Sequence, residues 1–307
     1  MPLNPLEFQQ SLIYTQAPHS NPGGEFVMRA HIPADQTVTG PHKISETEER
    51  LVTQSALKIW LERDGRLLRI RLAAPKANIV DIAMIEAFEA VLKQHEANNS
   101  LMAVVVDHEG PHFGFGASVP EHLPAQVDEL VTKLHRMIKR MLAFPVPVLM
   151  VVRGQCLGGS LEVVLAGHVI FASSDAMLGQ PEIRLGTMAP VGSCLLPERI
   201  GRAAAEDLLL SGRSVSAEQA KTLGLVTEVA SDPEAAALGY FDTYLAGHSP
   251  SSLRFAVRAV RRALLARVLP ELDAVEAMYL REMMKTSDPV EGLRSFMEKR
   301  KPVWKTA

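Results

Sequence analysis

Cysteine is almost missing from this sequence: Cys156 and Cys194 are the only two in 307 residues, and they make no metal-ligand spacing. They read as small buried residues of a protein kept in a reducing compartment. A charge excess of either sign is missing too, with 32 Lys and Arg against 35 Asp and Glu and a formal net charge of −3. That balance excludes the basic footprint of general nucleic-acid binding. No apolar run reaches the roughly 18 residues of a membrane span. The opening MPLNPLEFQQ has neither the basic start nor the apolar core of a secretory leader. No loop follows the phosphate-binding pattern G-x-x-x-x-G-K-S/T, and no G-x-G-x-x-G stands in frame. The expectation is a soluble cytoplasmic protein without nucleic-acid or membrane partners.

What the sequence does have is apolar mass, 47% hydrophobic residues against 22% charged, enough for one full core with appendages. Residues 1–50 read as an extension, poorly ordered or loosely packed, because Pro, Gly, Asn, Gln and His occur there without a sustained period. Residues 51–245 read as an α/β core and 246–307 as a helical region. Leu57–Leu61 and Leu67–Leu72 flank an Asp64-Gly65 pair, a hairpin signal. Helical spacing follows over Ile82–Glu96 and a buried strand over Met102–Asp107. A glycine-rich loop, His108–Pro124, leads to a helix over about Ala125–Ala143. Pro147–Val152 is a second buried strand, Gly158–Ala166 a short helix, and Val169–Ala172 and Ala176–Leu178 two more strands. Strand-then-helix units of this kind imply a layered core with parallel pairing. Beyond residue 200 the pattern is almost all helical. Ser216-Ala217-Glu218-Gln219 carries a helix-start signal, and Pro250, Pro270 and Pro289 each open a helix, the first running through Leu265.

The chemistry candidates cluster after strands. Gly114-Phe115-Gly116-Ala117 and Gly154-Gln155-Cys156-Leu157-Gly158-Gly159 either make tight turns or let a ligand approach the backbone. Ligands of open α/β sheets gather at the carboxyl ends of such strands. Glu162 lies about one helical turn after Gly159, and Glu182 follows 20 residues later in Gly179-Gln180-Pro181-Glu182. Each has a plain reading, a first-turn glutamate favoured by the helix dipole and a loop carboxylate. Together they form a candidate acid/base pair, since two close carboxylates repel and one keeps its proton. Asp107-His108-Glu109-Gly110-Pro111-His112 lacks the spacing of a metal site. His122, His135 and His168 read as surface or satisfied core residues. Arg254, Arg258, Arg261, Arg262 and Arg267 read as a solvated or subunit-facing stripe.

Four segments, HFGFGASVPEHL, VRGQCLGGSLEVVLAGHVIFASSDAMLGQPEIRLG, AEDLLLSGRSVSAEQAKTLGLVTEV and EGLRSFMEKRKPVW, resemble the crotonase (enoyl-CoA hydratase/isomerase) superfamily from about Ala56 to Trp304. The resemblance implies a spiral of ββα units with a C-terminal helical trimerisation region, giving a homotrimer or a dimer of trimers. It implies an acyl-CoA thioester substrate, with coenzyme A entering only as part of that substrate and no metal. The thioester oxygen would be held by the backbone N–H groups of Ala117 and Gly159. Further coenzyme A contacts would fall on Ser118 and Val119, and on Phe296 and Lys299 contributed by a neighbouring subunit. Retention of both glutamates, Glu162 and Glu182, resembles a hydratase. Two departures stand out: Gly116-Ala117-Ser118 where straight-chain hydratases have G-A-D, and Gly186–Ser193 (GTMAPVGS) in place of P-G-A-G-G. In GASVPEHLP, RGQCLGGSLE, GQPEIRLGTMAP and LLPERIGRAAAEDLLLSGR the chain is similar to the branch that hydrates cyclohexa-1,5-diene-1-carbonyl-CoA in anaerobic benzoyl-CoA breakdown. The alternatives are a straight-chain enoyl-CoA hydratase or isomerase and, from another class, a non-catalytic acyl-CoA-binding or RNA-binding relative.

Overall fold

The computed structural model describes residues 56–74 and 77–305; the extension expected over residues 1–50 lies outside the described residues. Strand β1 (Leu57–Glu62) folds back on β2 (Leu67–Leu72), with Leu57 opposite Leu72 and Glu62 opposite Leu67. The turn needs three consecutive left-handed residues, Arg63, Asp64 and Gly65, and Asp-Gly is the pair that tolerates this most readily. Helix α1 (Ile82–His95) starts at Asp81, whose side chain accepts the Met84 N–H at 2.8 Å. There follow β3 (Ala103–His108), α2 (Val127–Leu142), β4 (Val148–Val152), β5 (Gln155–Leu157) and α3 (Gly159–Leu165). Then come β6 (Val169–Ala172), β7 (Met177–Gly179), α4 (Pro190–Ile200), α5 (Arg202–Ser211), β8 (Ser214–Ser216) and α6 (Ala217–Thr222). The chain closes with β9 (Glu228–Val229), α7 (Pro233–Tyr240), α8 (Pro250–Arg281) and α9 (Asp288–Met297).

Six strands form one sheet in the order β1-β2-β3-β4-β6-β9, parallel throughout except for the β1–β2 hairpin. Both faces are covered, which is why β3 and β4 are continuous apolar runs rather than alternating ones. Val104, Val106, Val148 and Met150 face the larger core with α1 and α2. Ala103, Val105, Leu149 and Val151 face the smaller core with Ala237 of α7 and Phe241. Asp107, at the end of β3, is fully buried between Arg69 and Arg71, so it serves an ion-pair network rather than any ligand. A second sheet, β5-β7-β8, sits beside the first.

Two differences from the sequence reading have physical causes. Strands β5, β8 and β9 span two or three residues each, too short to carry a period, so their segments read as loop or helix. Helix α8 passes through Pro270, where a new helix was expected to begin. A proline inside a helix costs about 3 kcal/mol, but Val268, Leu272 and Val275 pack on the large core on both sides of it and hold the helix together. The Ser216 signal is a complete capping box: Gln219 N–H donates to Ser216 Oγ at 3.3 Å, and Ser216 N–H to Gln219 Oε1 at 3.0 Å. Among the described residues no helix is long and apolar enough to cross a membrane.

Candidate active site

The two glycine loops meet. Gly114 pairs with Cys156, and the Gly116 N–H donates to Ser160 Oγ at 3.0 Å, locking the first loop onto the start of α3. Gly116 has φ 102° and Gly158 φ 53°, conformations that L side chains rarely adopt. This brings the Ala117 and Gly159 backbones together: a Cβ on Gly159 would stand 3.0 Å from the Ala117 nitrogen. Neither of these two amides donates to any other group among the described residues. Two adjacent, unpartnered N–H groups beside a cavity are the arrangement that binds an oxygen carrying negative charge.

Both glutamates face the same cavity. Glu162 is 3% exposed, and its Oε1 accepts the Gly192 N–H at 2.9 Å from the first turn of α4. Burial raises its pKa, while the Gly192 amide, the charge of His135 and the Val191 amide act in the opposite direction. Glu182 begins a 3-10 turn, Glu182–Leu185, directly after β7. Its pKa stands well above the ordinary carboxylate range, from burial first and then repulsion by Glu162. Gln180, with its amide nitrogen toward the carboxyl, donates to the two Glu182 oxygens at 3.0 and 3.1 Å and to the Gly158 carbonyl at 3.3 Å. Gly158 must be glycine for a second reason, since a Cβ there would lie 2.7 Å from Glu182 Oε1. Burial raises both carboxyls, and repulsion by Glu162 makes Glu182 the one that holds a proton more firmly.

The far wall comes from residues whose spacing gave no chemical signal. Val131, Leu134 and His135 of α2, Met188, and Tyr279 of α8 close the cavity. His135 is 1% exposed, and its Nδ1 lies 2.7 Å from Glu276 Oε2. His122 donates through Nδ1 to the Ser118 carbonyl at 2.8 Å and meets the Tyr279 ring edge-on. Both histidines are hydrogen-bonded within the fold, as satisfied core residues are, and both also line the cavity, a placement their spacing did not signal. The available signal was that His135 falls among Val131, Leu134 and Ile138 on the buried stripe of α2. His168, by contrast, accepts the Val148 N–H and lies outside the cavity.

Other expected positions sort as follows. Val119 lines the cavity and packs with Leu293 and Phe296 of its own chain, so α9 reaches this site within one subunit. Lys299 follows α9 with φ 53°. Ser118 is buried; its N–H donates to the Val80 carbonyl and its side chain bonds Glu121, which directs it away from the cavity. Thr187, Met188 and Pro190 of the unusual GTMAPVGS loop all line the cavity. Arg261, expected on a solvated stripe, is buried and donates to the Ala166 and Gly167 carbonyls, at 3.1 and 2.6 Å. Arg199 donates to the Leu165 and Gly167 carbonyls. The two guanidiniums thus satisfy the open carbonyls beyond the C-terminus of α3, the helix that presents Gly159 and Glu162.

Comparison with known proteins is consistent across sequence and structure. The enoyl-CoA hydratase/isomerase family matches residues 62–307. A cyclohexa-1,5-dienecarbonyl-CoA hydratase of Thauera aromatica is 56% identical over 250 residues, covering 81% of this chain and 97% of that protein. A probable enoyl-CoA hydratase of Bacillus subtilis is 31% identical over 241 residues, 75% of this chain and 92% of its own. The crystal structure of an enoyl-CoA hydratase from Mycobacterium avium subsp. paratuberculosis superposes with a TM-score of 0.73 at 24% identity, over 82% of this chain and 99% of that one. The last likeness establishes the fold.

Proposed function

The chain belongs to the enoyl-CoA hydratase/isomerase family, and from that membership and the site geometry we propose that it is a hydro-lyase acting on a conjugated acyl-CoA thioester. The substrate proposed is cyclohexa-1,5-diene-1-carbonyl-CoA and the product 6-hydroxycyclohex-1-ene-1-carbonyl-CoA. One observation carries the reading: two glutamates in unlike environments share a cavity with two unpartnered backbone amides. The Ala117 and Gly159 N–H groups hold the thioester oxygen, and each such donor contributes about 3–4 kcal/mol as negative charge develops there. The ring lies between the glutamates and the α2–α8 wall. Glu162, whose Oε1 accepts the Gly192 amide, takes a proton from water as the water oxygen bonds to the ring. Glu182 delivers a proton to ring carbon, and the electrons of the diene pass through the thioester in between.

The ring assignment is supported by the loop that departs from the straight-chain pattern, since Thr187, Met188 and Pro190 border the space that the acyl group would fill. Coenzyme A enters as part of the substrate, past Val119 and α9, and no further cofactor is invoked. The proposed assembly is a cytoplasmic homotrimer or pair of trimers, each subunit a spiral of ββα units with residues 246–307 as the assembling region. A panel of CoA thioesters, followed by loss of conjugation absorbance with product identification, tests the substrate. The ring diene should turn over at a higher kcat/KM than crotonyl-CoA; efficient crotonyl-CoA hydration with none of the ring would rule it out.

A further inference from the structure

His135 is one of the polar cavity groups that the proposed reaction leaves unused. His135 is almost fully buried, and its Nδ1 is committed to Glu276 at 2.7 Å. Its other nitrogen, Nε2, has no hydrogen-bond partner among the described residues. His135 lines the cavity, and with Nδ1 committed to Glu276 its Nε2 is the ring nitrogen left to serve the site. A Glu276 carboxylate on Nδ1 fixes that nitrogen as the donor, and in the neutral ring this leaves Nε2 as an acceptor. An acceptor among Val131, Leu134 and Tyr279 is wasted on a hydrocarbon chain. It suits an O–H in the ligand.

On the hydratase reading above, the ligand brings one such group. Water has two O–H bonds: the first gives its proton to Glu162 as the oxygen bonds to carbon, and the second survives as the product's hydroxyl. We propose that His135, held by Glu276, is a further substrate-contacting residue whose Nε2 accepts the hydrogen bond of that surviving O–H. His135 takes no proton in this step. It fixes the orientation of the water so that its lone pair faces the ring while Glu162 removes the other proton, and it recognises the hydroxyl in the reverse reaction.

The test compares two ligands that differ by that hydroxyl, 6-hydroxycyclohex-1-ene-1-carbonyl-CoA and cyclohex-1-ene-1-carbonyl-CoA. Binding is measured by calorimetry in the Glu162→Gln background, where turnover is suppressed. Adding His135→Ala should weaken the hydroxylated ligand about tenfold and leave the other unchanged. Adding His135→Gln, which restores a polar group at the Nε2 position, should recover part of the loss. In the otherwise native enzyme, His135→Ala should lower kcat and leave KM within about threefold. Equal weakening of both ligands, or no weakening of either, overturns the role of His135. Failure of the Glu162→Gln parent to bind either thioester overturns the hydratase reading itself, so the two failures are distinguishable.

Discussion

At the scale of single residues, the site depends on atoms that are missing as much as on those present. Gly158 combines a left-handed backbone with a Cβ position 2.7 Å from Glu182 Oε1. Gly158→Ala should therefore displace Glu182 and strain the turn. We expect a kcat loss of about 100-fold, since misplacement by an ångström costs that much, and a stability loss of about 1–3 kcal/mol. Steady-state kinetics beside urea denaturation checks both, and a variant with native kcat would show that Glu182 does not need this approach. The glycine loops and both glutamates were legible in the sequence because their residue types and spacing limit what they can do. His135, Glu276 and Tyr279 were not: they come from α2 and α8, more than 130 positions apart, and only packing brings them together.

At the scale of elements, α3 is the part the rest of the molecule positions. Its first turn carries Gly159 and Glu162, while Arg199 from α4 and Arg261 from α8 close its far end. Strand and helix positions in the core were legible because β3, β4 and α1 have clear periods. The course of α8 was not, because a proline signals a helix start and cannot report the buried Val268 and Leu272 that carry the helix past it. Helix α9 gives a direct test of how an element borders the site. A Cβ on Gly292 would collide with the Leu185 carbonyl, driving α9 off the turn that begins at Glu182. Gly292→Ala should raise KM for the acyl-CoA about tenfold with a much smaller change in kcat, as expected when only uniform binding is lost. The matched control is Gly239→Ala in α7, where nothing lies within 4 Å of the new Cβ. It should leave both constants unchanged and stabilise the helix by about 0.5–1 kcal/mol. Similar KM values for both variants would remove α9 from the binding site.

At the scale of the whole molecule, two histidines tie the fold to pH. His108 accepts the Arg153 N–H, and burial holds its pKa near 4; His168 accepts the Val148 N–H, and burial with the charges of Arg261 and Arg199 holds its pKa near 3. Both lie below the ordinary 6.5. Below that value the unfolded chain takes up protons that the folded chain refuses. Stability is therefore complete above about pH 6.5 and falls as pH drops toward the folded values. His168→Asn keeps an acceptor for Val148 but does not titrate. It should flatten the decline between about pH 6.5 and 3, a window worth at most about 5 kcal/mol for His168. Denaturation at a series of pH values measures this, and an unchanged slope would mean that His168 is not a source of acid sensitivity. The central claim, that Glu162 and Glu182 act as one base and one acid, rests on a simpler comparison. The rate of hydration of cyclohexa-1,5-diene-1-carbonyl-CoA should fall by about 10²–10⁴-fold in both Glu162→Gln and Glu182→Gln, with thioester binding retained in each. Turnover within a few-fold of the native enzyme in either variant would contradict the paired mechanism.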